Sequence, residues 1–281
     1  MTSLSARASS LSVTPFSDLE LSRRLERAEG YACVDYVDAR RRIFPDSGAE
    51  WIECAGAYAA FDGVESPITQ TFGLGLSEEF SPTALDTIER FFIDRGAPVF
   101  HEVSPFAGID ALNLLCERRY RPIELSSVMY RTTEETPPIP EGPISVRVVP
   151  PDETALWNDV STRGWAAEHP EYAGFFRDHG AISAARKQSV CFLALYEGIP
   201  GAAGALSIHA GVALFAGSST VPELRRRGLQ AALLHERMLY AHQHGCDIAM
   251  MVAQPGSNSH RNAERQGFQI AYTRTKWKLQ S

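Results

Sequence analysis

The chain is poor in lysine, in paired cysteines and in long apolar runs. Among 281 residues there are 24 arginines and 3 lysines, a bias from which we infer no function. The five cysteines form no CxxC pair, which argues against a disulfide framework and favours a reducing cytoplasm. No stretch approaches the roughly 18 to 20 apolar residues that cross a bilayer, and the polar first dozen residues indicate a frayed tail rather than a signal peptide. We therefore expect a soluble, cytoplasmic protein with no membrane partner. The scattered cysteines are Cys33, Cys54, Cys116, Cys191 and Cys246.

Charge is divided unevenly between the two halves of the chain. Residues 1–140 carry 13 arginines and 22 acidic residues, a net charge of −9, whereas residues 141–281 carry 14 basic and 12 acidic residues, a net charge of +2. A polyanionic ligand is therefore expected to prefer the second half. Neither half has the basic excess of a nucleic-acid-binding domain, so we expect no nucleic-acid partner.

A proline-rich segment marks the boundary between two units. Residues 132–145 read TTEETPPIPEGPIS, with four prolines and a glycine between Pro137 and Pro143. Such segments are stiff and extended, as in linkers between compact units. The sequence therefore predicts two domains, residues 1–140 and 141–281, each of ordinary domain size.

The second unit alternates between strand and helix patterns. Ile144 to Pro150 predicts a strand, Pro151 to Trp157 and Tyr172 to Lys187 predict helices, and three glycine-punctuated apolar runs predict an antiparallel meander. A helix with period 3.6 then ends at Gly245, followed by the buried strand CDIAMMVA, a short helix from Ser257 to Gln266, and a closing strand. The first unit ends in the same order of helix, strand, helix and strand, which indicates a remote duplication. Its segments are Thr83 to Asp94, Ala97 to Val103, Ile109 to Arg119 and Tyr120 to Tyr130.

The segment STVPELRRRGLQAALL, residues 219–234, carries the most chemical information. A strand runs through a turn with Gly228 into an amphipathic helix, so several unpaired N–H groups and the positive end of the helix dipole meet at one point. Phosphate binds readily at such a place, and a Cβ at Gly228 would hold it away from the backbone. Arg225, Arg226 and Arg227 add mobile positive charge. The alternative is a solvated basic turn with a helix-entry glycine.

This segment resembles the acyl-CoA-binding signature of the GNAT N-acetyltransferase superfamily, in which a strand, a proline, R/Q-x-x-G-x-G/A and a helix follow in this order. The order of flanking elements over residues 144–281 resembles that superfamily as well. The resemblance implies an α/β (α+β) fold of two tandem GNAT-like lobes, each a mixed, mainly antiparallel sheet flanked by helices. It implies direct transfer of an acetyl or short acyl group from acyl-CoA to an amine, with the thioester in a gap between the strand before the turn and the strand CDIAMMVA. The implied cofactor-binding residues are Ser219, Thr220, Val221, Arg225, Arg226, Arg227, Gly228, Leu229, Gln230 and Ala231.

Two positions depart from the family pattern. Gln230 stands where the family has glycine or alanine, so its side chain is expected to turn outward. Ala263 stands where the family often has a tyrosine that protonates the leaving thiolate, which leaves Ser257, Ser259, His260 or water as candidate acids. The catalytic residues are therefore left unassigned.

The loop RGWAAEHPEYAGFF is the candidate acceptor site. In the superfamily this region borders the amine, and acids among aromatic side chains would suit a cationic or aromatic amine. The alternative is that the aromatic residues belong to the core and the acids are solvated helix-end residues. The residues that we assign to the acceptor pocket are Trp165, Glu168, His169 and Tyr172, with Glu171, Phe175 and Phe176 beside them.

Two other patterns invite a functional interpretation. His242-x-His244-x-Cys246 suggests a metal site, but histidines are favoured at a helix C-terminus by the dipole, and we expect no metal. FGLGL, from Phe72 to Leu76, lacks the spacing of a nucleotide loop and is expected to be a strand.

The first unit has two acids where the phosphate turn would lie. Glu78 and Glu79 precede Ser81, a good helix N-cap before Pro82, and would repel a pyrophosphate. We therefore expect a degenerate lobe that binds no CoA. The main alternative to an enzyme is an acyl-CoA-binding regulatory or scaffold protein without turnover, and a plain interaction module is a third. The acceptor is expected to be a small-molecule or peptide amine, and a homodimer is left open.

Overall fold

The computed structural model describes residues 15–134, 142–167 and 173–280. The expected frayed tail and half of the expected linker lie outside these residues. The described residues contain α1 (Leu19–Ile43), α2 (Pro82–Ile93), α3 (Gly108–Glu117), α4 (Thr154–Ala166), α5 (Ala173–Ala185), α6 (Leu229–Gln243) and α7 (Asn258–Arg265). Their strands are β1 (Glu50–Cys54), β2 (Ala57–Phe61), β3 (Gln70–Phe72), β4 (Phe100–Val103), β5 (Tyr120–Thr132), β6 (Ile144–Val148), β7 (Ser189–Tyr196), β8 (Ile199–His209), β9 (Val212–Thr220), β10 (Ile248–Ala253) and β11 (Gln269–Leu279).

One sheet runs through both halves of the chain. The eleven described strands lie in one sheet, in the order β1-β2-β3-β4-β11-β5-β10-β9-β8-β7-β6. Among these, only β3–β4 and β9–β10 are parallel pairs. The predicted mixed, mainly antiparallel α/β fold is confirmed, and the strands of the two halves form one continuous sheet.

The two halves exchange their last strands. β5, from the first half, lies between β10 and β11, with Tyr130 opposite Met250 on one side and opposite Gln269 on the other. β11, from the second half, lies between β5 and β4, where Thr275 is opposite Val103. Each half's sheet is therefore continued by the final strand of the other half.

The long helix α1 was not predicted from the sequence. Asp18 caps it by accepting a hydrogen bond from the Leu21 N–H at 2.9 Å. Its glycine, Gly30, allows a close approach, because a Cβ there would lie 2.8 Å from the Tyr58 ring. The apolar face is rich in alanine and interrupted by charged residues, which hides its period. This face packs on strands of both halves, in a cluster of Leu21, Leu25, Ala28, Ala32, Val128, Tyr130, Val212, Leu214, Ile248, Met250 and Tyr272.

A buried carboxylate fastens α1 to the second half. Asp35 accepts hydrogen bonds from the Lys187 and Gln188 N–H groups at 3.1 and 3.2 Å. It also pairs with the Arg186 guanidinium at 3.2 Å, and both side chains are almost fully buried. Since a buried charge that loses its partner costs several kcal/mol, this contact ties α1 to the start of β7.

The remaining elements match the sequence expectations with shifts at their ends. The helix expected from Pro151 to Trp157 continues as α4 to Ala166, and the strand expected from Ala97 begins at Phe100. FGLGL, expected to be a strand, is extended only at Phe72, because Gly73 and Gly75 have φ values of +83° and +72° that begin a turn.

The exchanged strands predict that residues 142–281 do not fold alone. This fragment would lose β5 beside β10 and β4 beside β11, and would expose the apolar surface that α1 covers. We expect it to aggregate or to unfold without a cooperative transition in circular dichroism.

A chain cut between residues 135 and 141 is the matched control. Its two pieces should stay associated and melt cooperatively, because every strand keeps its neighbours. A monomeric 142–281 fragment with a sharp transition would show that the halves are independent.

Candidate functional site

β9 and β10 separate part of the way along their length. They are paired only from Val212–Leu214 against Ile248–Met250. Beyond this point β9 continues beside β8, whereas β10 continues beside β5 as far as Ala253. A cleft therefore opens between residues 215–220 and 251–253, and the side of β9 that faces it has no strand partner among the described residues.

A bulge turns the end of β9. Ala205 is opposite Ala216 and Ala203 is opposite Ser219, so β9 has one extra residue at this point, where Gly217 has φ +62°. Such a bulge re-aims the side chains that follow it. Ser219 accordingly points away from the cleft and donates a hydrogen bond to the Ser161 carbonyl of α4 at 3.0 Å.

The turn after β9 presents backbone N–H groups at the start of α6. Gly228 caps the helix in a left-handed conformation with φ +88°, and Arg226 has φ +62°. The N–H groups of residues 228–231 donate to no acceptor among the described residues, since the first helical bond runs from Ala232 to the Gly228 carbonyl. Together with the dipole of α6, they form an anion-binding site at the mouth of the cleft.

The three arginines of the turn have different environments. Arg225 lies beneath the turn, where its guanidinium donates to the Thr220 and Gly164 carbonyls at 3.3 Å each. Arg226 is exposed, and Arg227 lies over the Tyr196 ring at 5.1 Å with its end exposed. Arg225 therefore shapes the turn, and the other two remain accessible to an anion.

The other residues assigned to the turn contribute through their backbone groups or through packing in the core. Val221 and Leu229 are 2% and 1% exposed and belong to the core, whereas Ala231 is exposed. The Gln230 side chain turns back toward β9 and donates to the Thr220 hydroxyl at 2.8 Å. It thereby holds the strand end against the start of the helix.

Helix α4 forms the wall on the other side of β9. A Cβ at Gly164 would lie 2.5 Å from the Ser219 hydroxyl, so glycine permits close contact here. Trp165 follows and stacks on Phe176 at 6.1 Å. The expected acceptor loop thus leaves α4 beside the end of β9. Its residues Glu168, His169, Glu171 and Tyr172 lie outside the described residues.

Aromatic side chains of α5 belong to a core shared with α1 and α4. His179 lies 5.8 Å from Trp157, 5.7 Å from Tyr36 and 5.2 Å from Phe175, measured between ring centroids. Burial lowers the pKa of His179 to about 4, so the imidazole is neutral at physiological pH. Because Phe176 is also buried, the core interpretation holds for the aromatic residues on α5.

The candidate acids on α7 are largely committed to local structure. Ala263 is fully buried in the core under α6. Ser257 caps α7 by accepting from the His260 N–H at 3.1 Å, and His260 Nδ1 accepts from the Gly256 N–H at 3.0 Å. Ser259 is exposed. No side chain on α7 is thereby marked as the acid.

A buried arginine beneath the bulge was not predicted from the sequence. Arg237 of α6 donates to the Leu233 and Ala205 carbonyls at 3.1 Å each and lies 4.8 Å from the Phe215 ring. Its hydrogen-bond acceptors are backbone carbonyls, with no carboxylate partner among the described residues, and burial lowers its pKa to about 9. The residue pattern of α6 in the sequence does not indicate that this position faces inward beside the cleft. The guanidinium adds positive potential there.

One of the two histidines at the end of α6 has a local partner. His244 stacks on Tyr240 at 3.7 Å, and Cys246 is buried. Within residues 15–134, 142–167 and 173–280, no group of three or more His, Cys, Asp or Glu side chains could hold a metal ion. No helix in the same residues is both long and apolar enough to cross a membrane.

The equivalent place in the first half carries acids. β3 and β4 form the matching parallel pair, and the turn after β3 leads to α2. Glu78 and Glu79 are exposed before Ser81, whose hydroxyl caps α2 by accepting from the Ala84 N–H at 3.2 Å. This turn therefore lacks the positive character of the turn before α6.

Comparisons with known proteins identify the fold. No protein-family model and no curated protein matches the chain. A GCN5-related N-acetyltransferase from Kribbella flavida has a TM-score of 0.68 at 17% identity, over 93% of this chain and 96% of that one. A tandem GNAT protein from the clavulanic acid biosynthesis pathway has a TM-score of 0.56 at 13% identity, over 96% and 98% of the two chains.

A third solved structure shares the fold under a different name. It is the C-terminal domain of a protein from Agrobacterium fabrum named as a lysylphosphatidylglycerol synthetase, with a TM-score of 0.54 at 12% identity over 94% and 92% of the two chains. Identities this low establish architecture rather than activity. The chain has the GCN5-related N-acetyltransferase fold in its tandem arrangement.

Proposed function

We propose that the protein transfers an acetyl or short acyl group from acyl-CoA to a primary amine of a small molecule or peptide. The observation that carries this proposal is the anion-binding turn at residues 226–231, placed at the mouth of the β9–β10 cleft. An anion site beside an unpaired strand edge suits a ligand with a pyrophosphate at one end and amides along its length.

The pyrophosphate would bind at the start of α6. Its oxygens would accept from the N–H groups of residues 226–231, and Arg226 and Arg227 would provide charge-assisted hydrogen bonds. The helix dipole contributes about 0.3–1 kcal/mol to such an anion. On this proposal residues 141–281 are the CoA-binding domain and residues 1–140 are a lobe without CoA.

The pantetheine arm would pair with β9 as an added strand. The edge of β9 beyond Leu214 has no strand partner among the described residues, so its backbone groups can bond the pantetheine amides. The cleft ends where β9 and β10 meet, which would place the thioester near the bulge at Gly217.

The chemistry would be direct attack of the amine on the thioester carbonyl. A carbon–nitrogen bond forms, the carbon–sulfur bond breaks, CoA leaves as the thiolate, and the amine loses a proton. A base can accept this proton directly or through water, and Glu168 and His169 are our candidates because their loop leaves α4 beside the end of β9. The thiolate would be protonated by water or Ser259, since Ser257 and His260 hold the start of α7.

The second candidate is a CoA-binding regulatory protein without turnover. The specific observation in its favour is Ala263, a fully buried alanine at the position where the family often has its acid. Binding and turnover must therefore be measured separately.

We expect acetyl-CoA to stabilise the chain and to bind once. Ligand at 100 times its Kd should add about 2.7 kcal/mol to the free energy of unfolding. Thermal shift gives the stabilisation and titration calorimetry gives the stoichiometry. Absence of binding at millimolar CoA would refute the proposal, and two sites per chain would refute the assignment of residues 1–140.

Gly228→Asp should abolish CoA binding while the protein stays folded. The added Cβ would meet only Ile144, at 3.4 Å, but the carboxylate would stand where the pyrophosphate binds. Gly228→Asn separates charge from backbone strain and should bind more weakly than wild type but better than the aspartate variant.

Gly245→Asp is the matched control for that experiment. Gly245 has φ +75° with nothing near its Cβ position, and it follows the opposite end of the same helix. Its CoA affinity should equal that of wild type. Equal affinity in Gly228→Asp would show that the site has been misplaced.

Turnover should appear with at least one class of primary amine. A panel of amino acids, polyamines, aromatic amines and peptides, assayed by release of free CoA thiol, should include a substrate. Tight CoA binding with no release above the solvent rate would favour the regulatory alternative.

A further inference from the structure

A small cavity lies in the first half, at the end of β3. It lies between α1, β2, and the end of β3 with the turn that follows. Its enclosed part has room for about one water-sized group. The lining side chains that matter most are Glu26, Arg23, Arg27, Tyr58 and Phe72.

Glu26 places a buried carboxylate in the cavity wall. The side chain is 1% exposed, and its Oε1 accepts from the Tyr272 hydroxyl at 3.0 Å and from Arg274 at 3.1 Å. Its other oxygen, Oε2, is buried and has no hydrogen-bond partner among the described residues. A buried carboxylate oxygen without a donor is costly, so this atom calls for a ligand or water.

The charges around Glu26 are balanced without it. Arg274 makes two bonds to Glu29, at 2.6 and 3.1 Å, and one to Glu102 at 3.0 Å. Lys276 lies 3.8 Å from the same Glu102. Glu26 is therefore a third carboxylate beside two cations. Burial raises its pKa to about 7, with Arg274 acting against the shift and the other two carboxylates adding to it.

The mouth of the cavity is basic. Arg23 donates to the Leu76 carbonyl at 2.5 Å, and Arg27 lies 5.3 Å from the Tyr58 ring. Both side chains are more than 40% exposed, and their acidic neighbours are exposed as well. They can therefore turn toward a ligand. A simple amine would meet two positive charges on its way to Glu26, whereas an anion would meet Glu26 behind them.

We propose that this cavity binds a free amino acid, with its ammonium group on Glu26 Oε2 and its carboxylate on Arg23 and Arg27. The ammonium group matches the size of the enclosed part and supplies the missing donor. It also provides the cation that the third carboxylate lacks, while the arginines at the mouth neutralise the other end of the ligand. The site belongs to the first half and does not depend on CoA binding by the second.

Titration calorimetry on the full chain tests the proposal. Glycine, alanine, leucine, lysine and glutamate are titrated, and the best binder is compared with its matching amine and its matching carboxylic acid. Removing either charged end should weaken binding about ten-fold or more, because a charge-assisted contact is lost. At pH 7, binding should release about half a proton, because an ammonium group ionises a carboxyl group whose pKa lies near 7.

Variants assign each end of the ligand. Glu26→Gln keeps the shape of the side chain and should abolish both binding and proton release. Arg23→Gln with Arg27→Gln removes two charges from half-exposed side chains at the mouth, and circular dichroism checks that the fold is kept. It should weaken the amino acid about ten-fold or more without affecting the matching amine. Arg41→Gln, at the exposed far end of α1, is the control and should bind as wild type.

Three results would overturn the proposal. The first is no heat of binding from any amino acid at about 10 mM. The second is equal binding of the matching amine, which lacks the carboxylate. The third is unchanged affinity in Glu26→Gln. Unchanged affinity in the double arginine variant would refute the assigned orientation as well. CoA titrations of the same variants should be unaffected, so failure here leaves the proposed acyltransferase function standing.

Discussion

The antiparallel pairing of β5 with β11 is the interaction on which the rest of the structure depends. It runs from Tyr120 opposite Leu279 to Tyr130 opposite Gln269, and joins strands from different halves at the middle of the sheet. β5 also fixes β10, which stays beside it to Ala253 after leaving β9. The cleft can therefore open without leaving β10 unsupported. The exchange that makes the halves inseparable also shapes the candidate active site.

This exchange puts the second-half cleft and the first-half cavity in one continuous sheet, and helix α1 contributes to both regions. Its first turns pack on Val212, Leu214 and Met250 beside the second-half cleft, whereas Glu26 lines the first-half cavity. A ligand in either place would therefore contact surroundings shared with the other. The fold offers a physical path for coupling, because α1 and the central strands belong to one packed unit.

Local features of the site could be read from the sequence, and contacts between distant residues could not. The turn from Ser219 to Leu229 was predictable because proline, glycine and the helix period are local signals. The strand exchange was not predictable, because β5 and β11 alternate in the same way and this alternation does not specify which strand each one pairs with. Glu26 and Arg274 are 248 residues apart and meet only through that exchange. Gln230 was recognised as unusual, but its bond to Thr220 required the folded turn.

The two buried arginines show how the halves have diverged in charge. Arg237, beside the second-half cleft, has no carboxylate partner among the described residues, whereas Arg274 has three. Burial lowers the pKa of Arg274, but the nearby carboxylates, chiefly Glu26 and Glu29, raise it well above the ordinary value. Burying an ion costs several kcal/mol unless it is compensated. On the two proposals, an anion in the second-half cleft would lie near Arg237, and the ammonium group of an amino acid in the first-half cavity would compensate Glu26. The two halves would then bind different ligands through buried charges of opposite sign, and the first half would be a binding site in its own right rather than a relic.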